Sequence, residues 1–182
     1  MTTRREEILR TAADLFARRG FHGVSVADLG AACGISGPAL YKHFPSKDAV
    51  LADMLVSISE QLLDEGQRRV DAAPTAGDAL RSLIEWHTDF ALGNKSLIVV
   101  QDRDWSSLPA EARERVRALQ RSYVDLWAAQ VRLCHPDLTA KEAQARVHAT
   151  FGLLNSTPHS AFLTSDEMFD VLSEMARFAL SV

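Results

Sequence analysis

Five side chains that can bind phosphates and bases fall within residues 36–47. They are Ser36, Tyr41, Lys42, His43 and Lys47. Their hydroxyl, imidazole and ammonium groups donate hydrogen bonds that match phosphate oxygens and the edges of base pairs. The pattern is therefore typical of contact with nucleic acid, provided that the fold presents these residues on one surface.

Two short helices joined by a tight turn are predicted to position these side chains. Ser25 can cap one helix, and Ser36 can cap the next, which carries Pro38 near its start, where a missing N–H costs nothing. Gly34 lies between them, where a positive φ is cheap for glycine. With a longer helix ahead of them, over about residues 4–19, this is the geometry of a helix-turn-helix. A small three-helix cluster without a role in DNA binding has the same pattern.

The segment Gly34–Lys47, with the sequence GISGPALYKHFPSK, resembles the recognition-helix signature of tetracycline-repressor-type (TetR) regulators. The resemblance extends from about Arg5 to Leu55. The remaining two-thirds of the chain shares only the helical architecture of that family. The resemblance implies a DNA-binding domain at the N-terminal end of the chain.

The resemblance also implies roles for individual residues. Tyr41, His43 and Lys47 are expected to hold phosphates, helped by Ser25 at the start of the second helix. The positions expected to face the major groove are Ser36, Gly37, Pro38, Ala39 and Lys42. Three of these five carry no side-chain donor, so we expect the serine and the lysine to make the polar base contacts. DNA shape then supplies part of the specificity.

Two features near this segment bear on DNA binding. Gly30 stands where the family usually has alanine, and we expect a glycine there to loosen the second helix by about 1 kcal/mol. Arg4 and Arg5 lie at the start of the first helix. They are expected either to enter the minor groove as an arm or to form a solvated, charged terminus.

The chain as a whole predicts an all-α fold of about nine helices. Apolar residues recur at three- and four-residue spacing nearly throughout. We expect a helix-turn-helix DNA-binding domain over residues 1–48 and a ligand-binding and dimerisation domain over residues 49–182. Residues 1–50 carry seven Lys and Arg against five Asp and Glu, whereas residues 51–182 carry 13 against 19. This asymmetry fits a small, basic DNA-binding domain attached to a larger, acidic domain.

Useful affinity for DNA predicts two copies of the chain. A single DNA-binding domain of this size contacts few phosphates and bases, so we expect a homodimer on a palindromic operator. The resemblance implies that the last two long helices of each chain form the interface. The expected interface residues are Ala149, Gly152, Ser156, Met168, Leu172, Met175 and Ala179. The alternative is that both helical stripes belong to the core of one chain.

The body of the chain is expected to hold a small, largely apolar effector, because helical bundles leave cavities lined by large side chains and a few polar groups. The expected lining residues are Trp86, His87, Phe90, Gln101, Trp105, Tyr123, Trp127, His148, Phe151 and Asn155. Each polar member of this set is alternatively a structural residue. Arg113, Arg115, Arg117 and Arg121 indicate either a phosphorylated ligand, such as a coenzyme A thioester, or a solvated helix face.

Several other classes of protein are disfavoured. We find no nucleophile beside a base, no metal cluster and no phosphate loop, so we expect no catalysis, metal or cofactor. The longest apolar runs, such as Leu97–Val100, fall far short of the roughly 20 residues that span a membrane. The polar first ten residues predict no secretory signal and a cytoplasmic location. Two functions remain: an effector-responsive repressor, or a helical carrier or interaction module without specific DNA binding.

Overall fold

The computed structural model describes residues 3–160 and 162–182. Within these residues the regular structure is helical and no strand occurs, which confirms the all-α prediction. The α-helices are α1 (Arg4–Arg19), α2 (Val26–Ala32), α3 (Gly37–Leu40), α4 (Lys47–Ala72), α5 (Ala76–Gly93), α6 (Lys95–Asp104), α7 (Ala110–Cys134), α8 (Ala140–Leu154), α9 (Thr157–Ser160) and α10 (Ser165–Leu180). A single 3-10 turn over Trp105–Ser107 follows α6.

The chain forms two compact units. Unit 1 contains the residues up to Ile58 together with Ser96–Arg117, and unit 2 contains Ser59–Lys95 and Ala118–Val182. The stretch Ser96–Arg117 therefore packs with the first helices, although it comes from the middle of the chain. The predicted boundary between residues 48 and 49 separates a DNA-binding domain from a ligand-binding and dimerisation domain, and it stays a prediction.

Hydroxyl caps begin the first three helices where the sequence predicts them. Thr3 and Ser25 each accept a hydrogen bond from the backbone N–H three residues later and complete a capping box. Ser36 caps α3 with one such bond. Gly34 makes the turn before α3 with a φ of 66°, a conformation that glycine adopts without strain. Local residue chemistry therefore sets the start of the helix-turn-helix.

The hydrophobic core of unit 1 joins α1, α2, α3 and α4. Its fully buried side chains include Ile8, Phe16, Leu29, Phe44, Leu51 and Leu55. Three side chains of Ser96–Arg117 belong to the same core, namely Val100, Leu108 and Val116. Burial of each large apolar side chain stabilises the unit by about 1.5–3 kcal/mol.

Basic side chains donate hydrogen bonds to backbone carbonyl groups at helix ends of the helix-turn-helix. The last carbonyl groups of a helix lack partners within that helix. Arg4 donates to the carbonyl oxygen of Cys33 (2.6 Å), and Arg5 donates to that of His43 (2.7 Å). Arg5 also forms an ion pair with Asp53 (3.0 Å). Both guanidinium groups therefore bond within unit 1 while their side chains are 45% and 49% exposed, and the two expectations for them, an arm or a solvated terminus, stay predictions.

Hydrogen bonds hold the segment Ser96–Arg117 to α1. Ser96 donates to the carboxylate of Asp14 (2.6 Å). Arg103 donates to the carbonyl oxygen of Ala17 (3.0 Å), which lies in the last turn of α1. This arginine thus supplies a donor to a helix end that would otherwise lack one.

Unit 2 is a bundle in which α10 packs against α5 and α8. Its buried core includes Leu80, Leu83, Ile84, Trp127, Val131, Val147, Leu154 and Ala176. The four-residue spacing of buried residues on α5 and α10 matches the apolar stripes of the sequence.

Gly30 lies where α2 meets the turn before α3. A Cβ atom there would lie 2.8 Å from the carbonyl oxygen of Ile35 and 3.3 Å from the backbone nitrogen of Gly37. The glycine therefore permits two backbone segments to approach closely. This close packing offsets the loosening that helix propensity alone predicts.

We expect Gly30→Ala to lower the free energy of unfolding by about 1 kcal/mol, because overpacking against backbone outweighs the gain in helix propensity. Gly37→Ala is the matched control, since a Cβ atom there meets nothing within 4 Å. The control should change stability by less than about 0.5 kcal/mol. Urea unfolding followed by circular dichroism measures both variants. A Gly30→Ala chain as stable as the wild type would contradict the packing argument.

Candidate nucleic-acid interface and effector site

The residues of α3 and the turn after it form a partly exposed polar surface in unit 1. Of the predicted DNA-binding set, the exposed members are Ser25, Ser36, Pro38, Tyr41 and Lys42, and the half-buried members are Gly37, Ala39, His43 and Lys47. Tyr41 is 54% exposed although it is a large side chain. Because α3 is only one turn long, Tyr41, Lys42 and His43 lie in the turn that follows it.

The first residue of α3 is Gly37, which carries no side chain. Gly37 does not have a positive φ, and a Cβ atom at this position would meet nothing within 4 Å. The fold of the chain therefore does not require glycine here. The missing side chain instead lets an outside molecule come close to the backbone.

The hydroxyl of Ser25 is already engaged. It donates to the carboxylate of Asp28 (2.5 Å) and accepts from the backbone N–H of the same residue (3.1 Å). The Ser25 hydroxyl and the Ser25 backbone N–H both donate to this carboxylate and lower the pKa of Asp28, so the carboxylate stays ionised. A phosphate contact by Ser25 would have to replace its hydrogen bond to a negatively charged group.

The side chain of Lys47 forms hydrogen bonds within unit 1. Its Nζ donates to the carbonyl oxygens of Phe21 (2.8 Å) and Val24 (2.7 Å), and it lies 4.3 Å from the centre of the Phe21 ring. An ammonium group has three N–H donors, so one remains. The loop between α1 and α2 uses two of these donors, and the phosphate contact expected of Lys47 stays a prediction for the third.

Unit 2 contains five aromatic rings in contact, which we call the aromatic cluster: His87 and Phe90 of α5, Tyr123 and Trp127 of α7, and Phe151 of α8. The His87 ring stacks on Phe151 with centroids 4.7 Å apart and planes 5° apart. Trp127 meets His87 edge-on at 6.0 Å. The structure thus brings together half of the residues predicted for an effector site.

A chain of hydrogen bonds runs through the aromatic cluster. Burial lowers the pKa of His87 to about 4, against an opposing effect of Asn155, so the ring is neutral at pH 7. A neutral imidazole has one donor and one acceptor nitrogen. We assign Nε2–H as the donor to Oδ1 of Asn155 (3.1 Å) and Nδ1 as the acceptor from the Tyr123 hydroxyl (3.4 Å). Asn155 thereby joins the cluster, as the sequence predicts.

Helix α4 contributes a residue that sequence reasoning missed. Gly66 is buried, and a Cβ atom there would lie 2.7 Å from Cε2 of Tyr123. The glycine therefore leaves the space that the tyrosine ring occupies. Its signal in the sequence is positional, because the four-residue repeat through Ile58 and Leu62 continues at residue 66.

Four predicted effector residues lie outside the aromatic cluster. Trp86 packs under the guanidinium of Arg69, 5.3 Å from the ring centre. His148 is exposed on α8. Gln101 and Trp105 belong to unit 1. Periodicity shows that a residue faces inward but not which core it joins, and this explains the misplacement of the last two.

The predicted arginine group makes separate contacts. Arg113 donates to the carbonyl oxygen of Leu108 (2.8 Å). Arg117 pairs with Glu114 (2.8 Å) and lies 5.6 Å from the ring centre of Trp105. These contacts favour the helix-face alternative over a shared phosphate site.

Helices α8 and α10 expose apolar and small residues. On α10, Val171, Met175 and Phe178 are 39%, 49% and 77% exposed. The predicted interface residues that are exposed are Ala149, Gly152, Met175 and Ala179, and Ser156 is half-buried. Apolar side chains at this spacing form an outer stripe on α10 that the chain itself does not cover.

Two predicted interface residues lie instead in the core of unit 2. Met168 is 5% exposed and Leu172 is 2% exposed. Both belong to the buried stripe of α10, so they have almost no surface left for a second chain. Val171 and Phe178 are the apolar residues of α10 that face outward in their place.

Within residues 3–160 and 162–182, no three His, Cys, Asp or Glu residues are grouped so that they could hold a metal ion. The helices in the same ranges are all too short or too polar to span a membrane.

Comparison with known proteins relates most of the chain to one family. Residues 8–54 match "Bacterial regulatory proteins, tetR family", and residues 73–159 match "Tetracyclin repressor-like, C-terminal domain". The HTH-type transcriptional repressor KstR2 of Rhodococcus jostii is 27% identical over 125 residues, which are 68% of this chain and 61% of that protein. The matched region thus spans about three-fifths of that relative's length.

Solved structures share the fold. A TetR-family regulator from Bordetella parapertussis superposes with a TM-score of 0.85 at 24% identity, covering 97% of this chain and 93% of that one. AibR, solved in complex with isovaleryl coenzyme A and operator DNA, has a TM-score of 0.77 at 21% identity, covering 95% and 97%.

The neutral state of His87 predicts a pH dependence of stability. In the unfolded chain the pKa of histidine is about 6.5, whereas burial lowers the pKa of His87 to about 4 in the folded chain. Between these values the unfolded state binds more protons, so acid favours unfolding. The stability is fully present above about pH 6.5, and His87 alone should remove roughly 3 kcal/mol by pH ~4.

Unfolding of wild type and His87→Gln at several pH values between about 6.5 and 4.5 measures this effect. The variant should lose about 1 kcal/mol less per pH unit than the wild type. His148→Gln changes an exposed histidine and should keep the wild-type slope. Equal slopes in wild type and His87→Gln would show that His87 is not neutral in the folded chain.

Proposed function

Because this chain belongs to the TetR family of bacterial regulatory proteins, we propose that it is a cytoplasmic transcriptional repressor. It binds a palindromic operator as a homodimer and responds to a small, largely apolar effector that binds unit 2. The observation that carries this proposal is the exposed surface of α3 and its following turn, which lies within the matched residues 8–54.

The proposed DNA contacts follow from the free groups of that surface. Lys42 is exposed and offers an ammonium group to base edges, and the Ser36 hydroxyl, which accepts at the cap of α3, still has a proton to donate. Pro38 is exposed and apolar, which suits a thymine methyl group. Tyr41 reaches a phosphate, and Gly37 lets the DNA backbone come close. DNA shape supplies the remaining specificity.

The proposed homodimer forms through the outer faces of α8 and α10. Val171, Met175 and Phe178 are too exposed for apolar side chains of a lone chain. Ala149 and Gly152 on α8 permit close approach of a second chain. The two DNA-binding domains of such a homodimer can occupy half-sites roughly 34–36 Å apart on one face of DNA.

The aromatic cluster is the proposed effector site. Its rings offer an apolar surface, and the neutral His87 adds polarity without charge. A coenzyme A thioester is the ligand class favoured by comparison, since AibR shares the fold and was solved with isovaleryl coenzyme A. The effector and the operator must weaken each other's binding equally if the ligand is an inducer.

Binding to the DNA upstream of the chain's own gene tests the repressor. We expect a protected palindrome in footprinting and an affinity that falls steeply between about 50 and 200 mM salt. Lys42→Ala should weaken binding to this site by about 1–3 kcal/mol and relax the base preference at one position of each half-site. Sequence selection with random half-sites measures that preference.

Lys141→Ala is the matched control, because it removes the same charge from an exposed position on α8. It should leave the footprint and the base preference unchanged. Weak, uniform binding by the wild type without a footprint would instead support the helical carrier or interaction module. An unaltered base preference in Lys42→Ala would contradict the contact proposed for this lysine.

The dimer interface is tested by placing charge on α10. Phe178→Glu and Met175→Glu should each raise the dimer dissociation constant by at least about 100-fold, because an unpaired carboxylate would be buried between the chains. Leu133→Glu is the control, since Leu133 is 67% exposed at the end of α7. Sedimentation velocity over a range of concentrations measures the constants. Dimers of unchanged strength in both α10 variants would move the interface elsewhere.

A further inference from the structure

The aromatic cluster contains a buried hydrogen-bond donor without an acceptor. Nε1 of Trp127 makes no hydrogen bond, although the side chain is completely buried. Two other side chains of the described residues, Trp86 and Arg113, share this condition, but both are only half-buried. Buried polar groups in folded proteins nearly always have a partner, so each exception needs a physical explanation.

The other polar groups of the cluster already satisfy one another. The Tyr123 hydroxyl donates to His87 (3.4 Å), and His87 donates to Asn155 (3.1 Å). Burial raises the pKa of Tyr123, and the nearby indole N–H of Trp127 acts against that rise while staying outside hydrogen-bond geometry. The indole N–H therefore lies near the Tyr123 hydroxyl but has no acceptor within hydrogen-bond geometry.

We propose that the part of the effector that binds the aromatic cluster is uncharged and apolar and carries a carbonyl oxygen that accepts a hydrogen bond from Nε1 of Trp127. This inference rests on the proposed function, because it assigns a ligand class to the proposed effector site. Ketones, esters and thioesters all carry such an oxygen. The acyl part of a coenzyme A thioester fits this description, and the corresponding free acid does not.

A free carboxylate does not fit because the cluster offers it no cation. His87 is neutral at pH 7. Arg69 is the cation whose charge reaches Tyr123, but its guanidinium is engaged by Glu65 (2.7 Å) and by the Ser82 hydroxyl (2.9 Å). Burial of an unpaired anion costs far more than burial of a carbonyl group with one hydrogen bond.

Phe151 and Asn155 form the accessible edge of the cluster. Both are half-buried, with Phe151 in the last turn of α8 and Asn155 at its C-terminal cap, whereas His87, Tyr123 and Trp127 are buried. The Phe151 and Trp127 ring centroids are 5.0 Å apart. A ligand that reaches Nε1 must therefore displace the Phe151 ring, and its apolar part takes over the stacking on His87.

Indole N–H resonances test the proposal directly. The chain has three tryptophans, so the ¹⁵N-labelled full chain gives three indole signals, which single Trp→Phe variants assign. The probes are cyclohexanone, methylenecyclohexane and cyclohexanecarboxylate, which share a ring and differ in carrying a carbonyl, an alkene or an anion. Cyclohexanone should move the Trp127 proton downfield and bind about fivefold more tightly than methylenecyclohexane. The carboxylate should bind more weakly than both.

Trp127→Phe should remove the advantage of cyclohexanone over methylenecyclohexane, and Trp86→Phe, the matched control, should keep it. If Trp127→Phe does not fold, the wild-type spectrum decides the matter. A Trp127 signal that stays in place at saturating cyclohexanone would overturn the proposal. Carboxylate binding as tight as ketone binding would overturn it as well.

Operator footprinting separates this inference from the proposed function. A chain that binds cyclohexanone through Trp127 but protects no DNA supports the ligand class and contradicts the repressor. A chain that protects an operator while its Trp127 signal ignores cyclohexanone supports the repressor and contradicts the ligand class.

Discussion

Hydrogen bonds from basic side chains to open carbonyl groups hold the DNA-facing part of this chain together. Helices α2 and α3 have only seven and four residues, so most of their backbone groups lie at a helix end. Arg4, Arg5 and Lys47 supply donors to carbonyl groups in and around these helices. Positive charge in this region thus serves the fold first. Lys42, which is exposed after α3, is the cation that we propose contacts base edges.

Local chemistry made the beginnings of the short helices predictable from sequence. Ser25 and Ser36 act as caps because a hydroxyl reaches the N–H three residues ahead, and Gly34 makes a turn that requires a positive φ. The partners of Arg5 and Lys47 were not predictable. Their carbonyl acceptors lie more than twenty residues away, so these contacts exist only once the helices have packed.

Helical periodicity identified the aromatic residues of unit 2 but could not assign every inward residue to a core. Trp105 has the same apolar character as Trp127, yet the two belong to different units. On α10, Met168 and Met175 both suit a buried stripe or an exposed one, and only packing decides between them. The role of Gly66 beside Tyr123 was not predicted, because glycine adds no apolar side chain to the pattern of the sequence.

Unit 1 is discontinuous along the chain, because Ser96–Arg117 belongs to it. A gene fragment that ends near residue 48 would encode a core without Val100, Leu108 and Val116. Exchange of an N-terminal segment alone between related chains would therefore separate α1–α3 from these three core residues. A chimera that takes both segments from one parent keeps this core intact, and the second segment lies inside the region matched to the family's C-terminal domain.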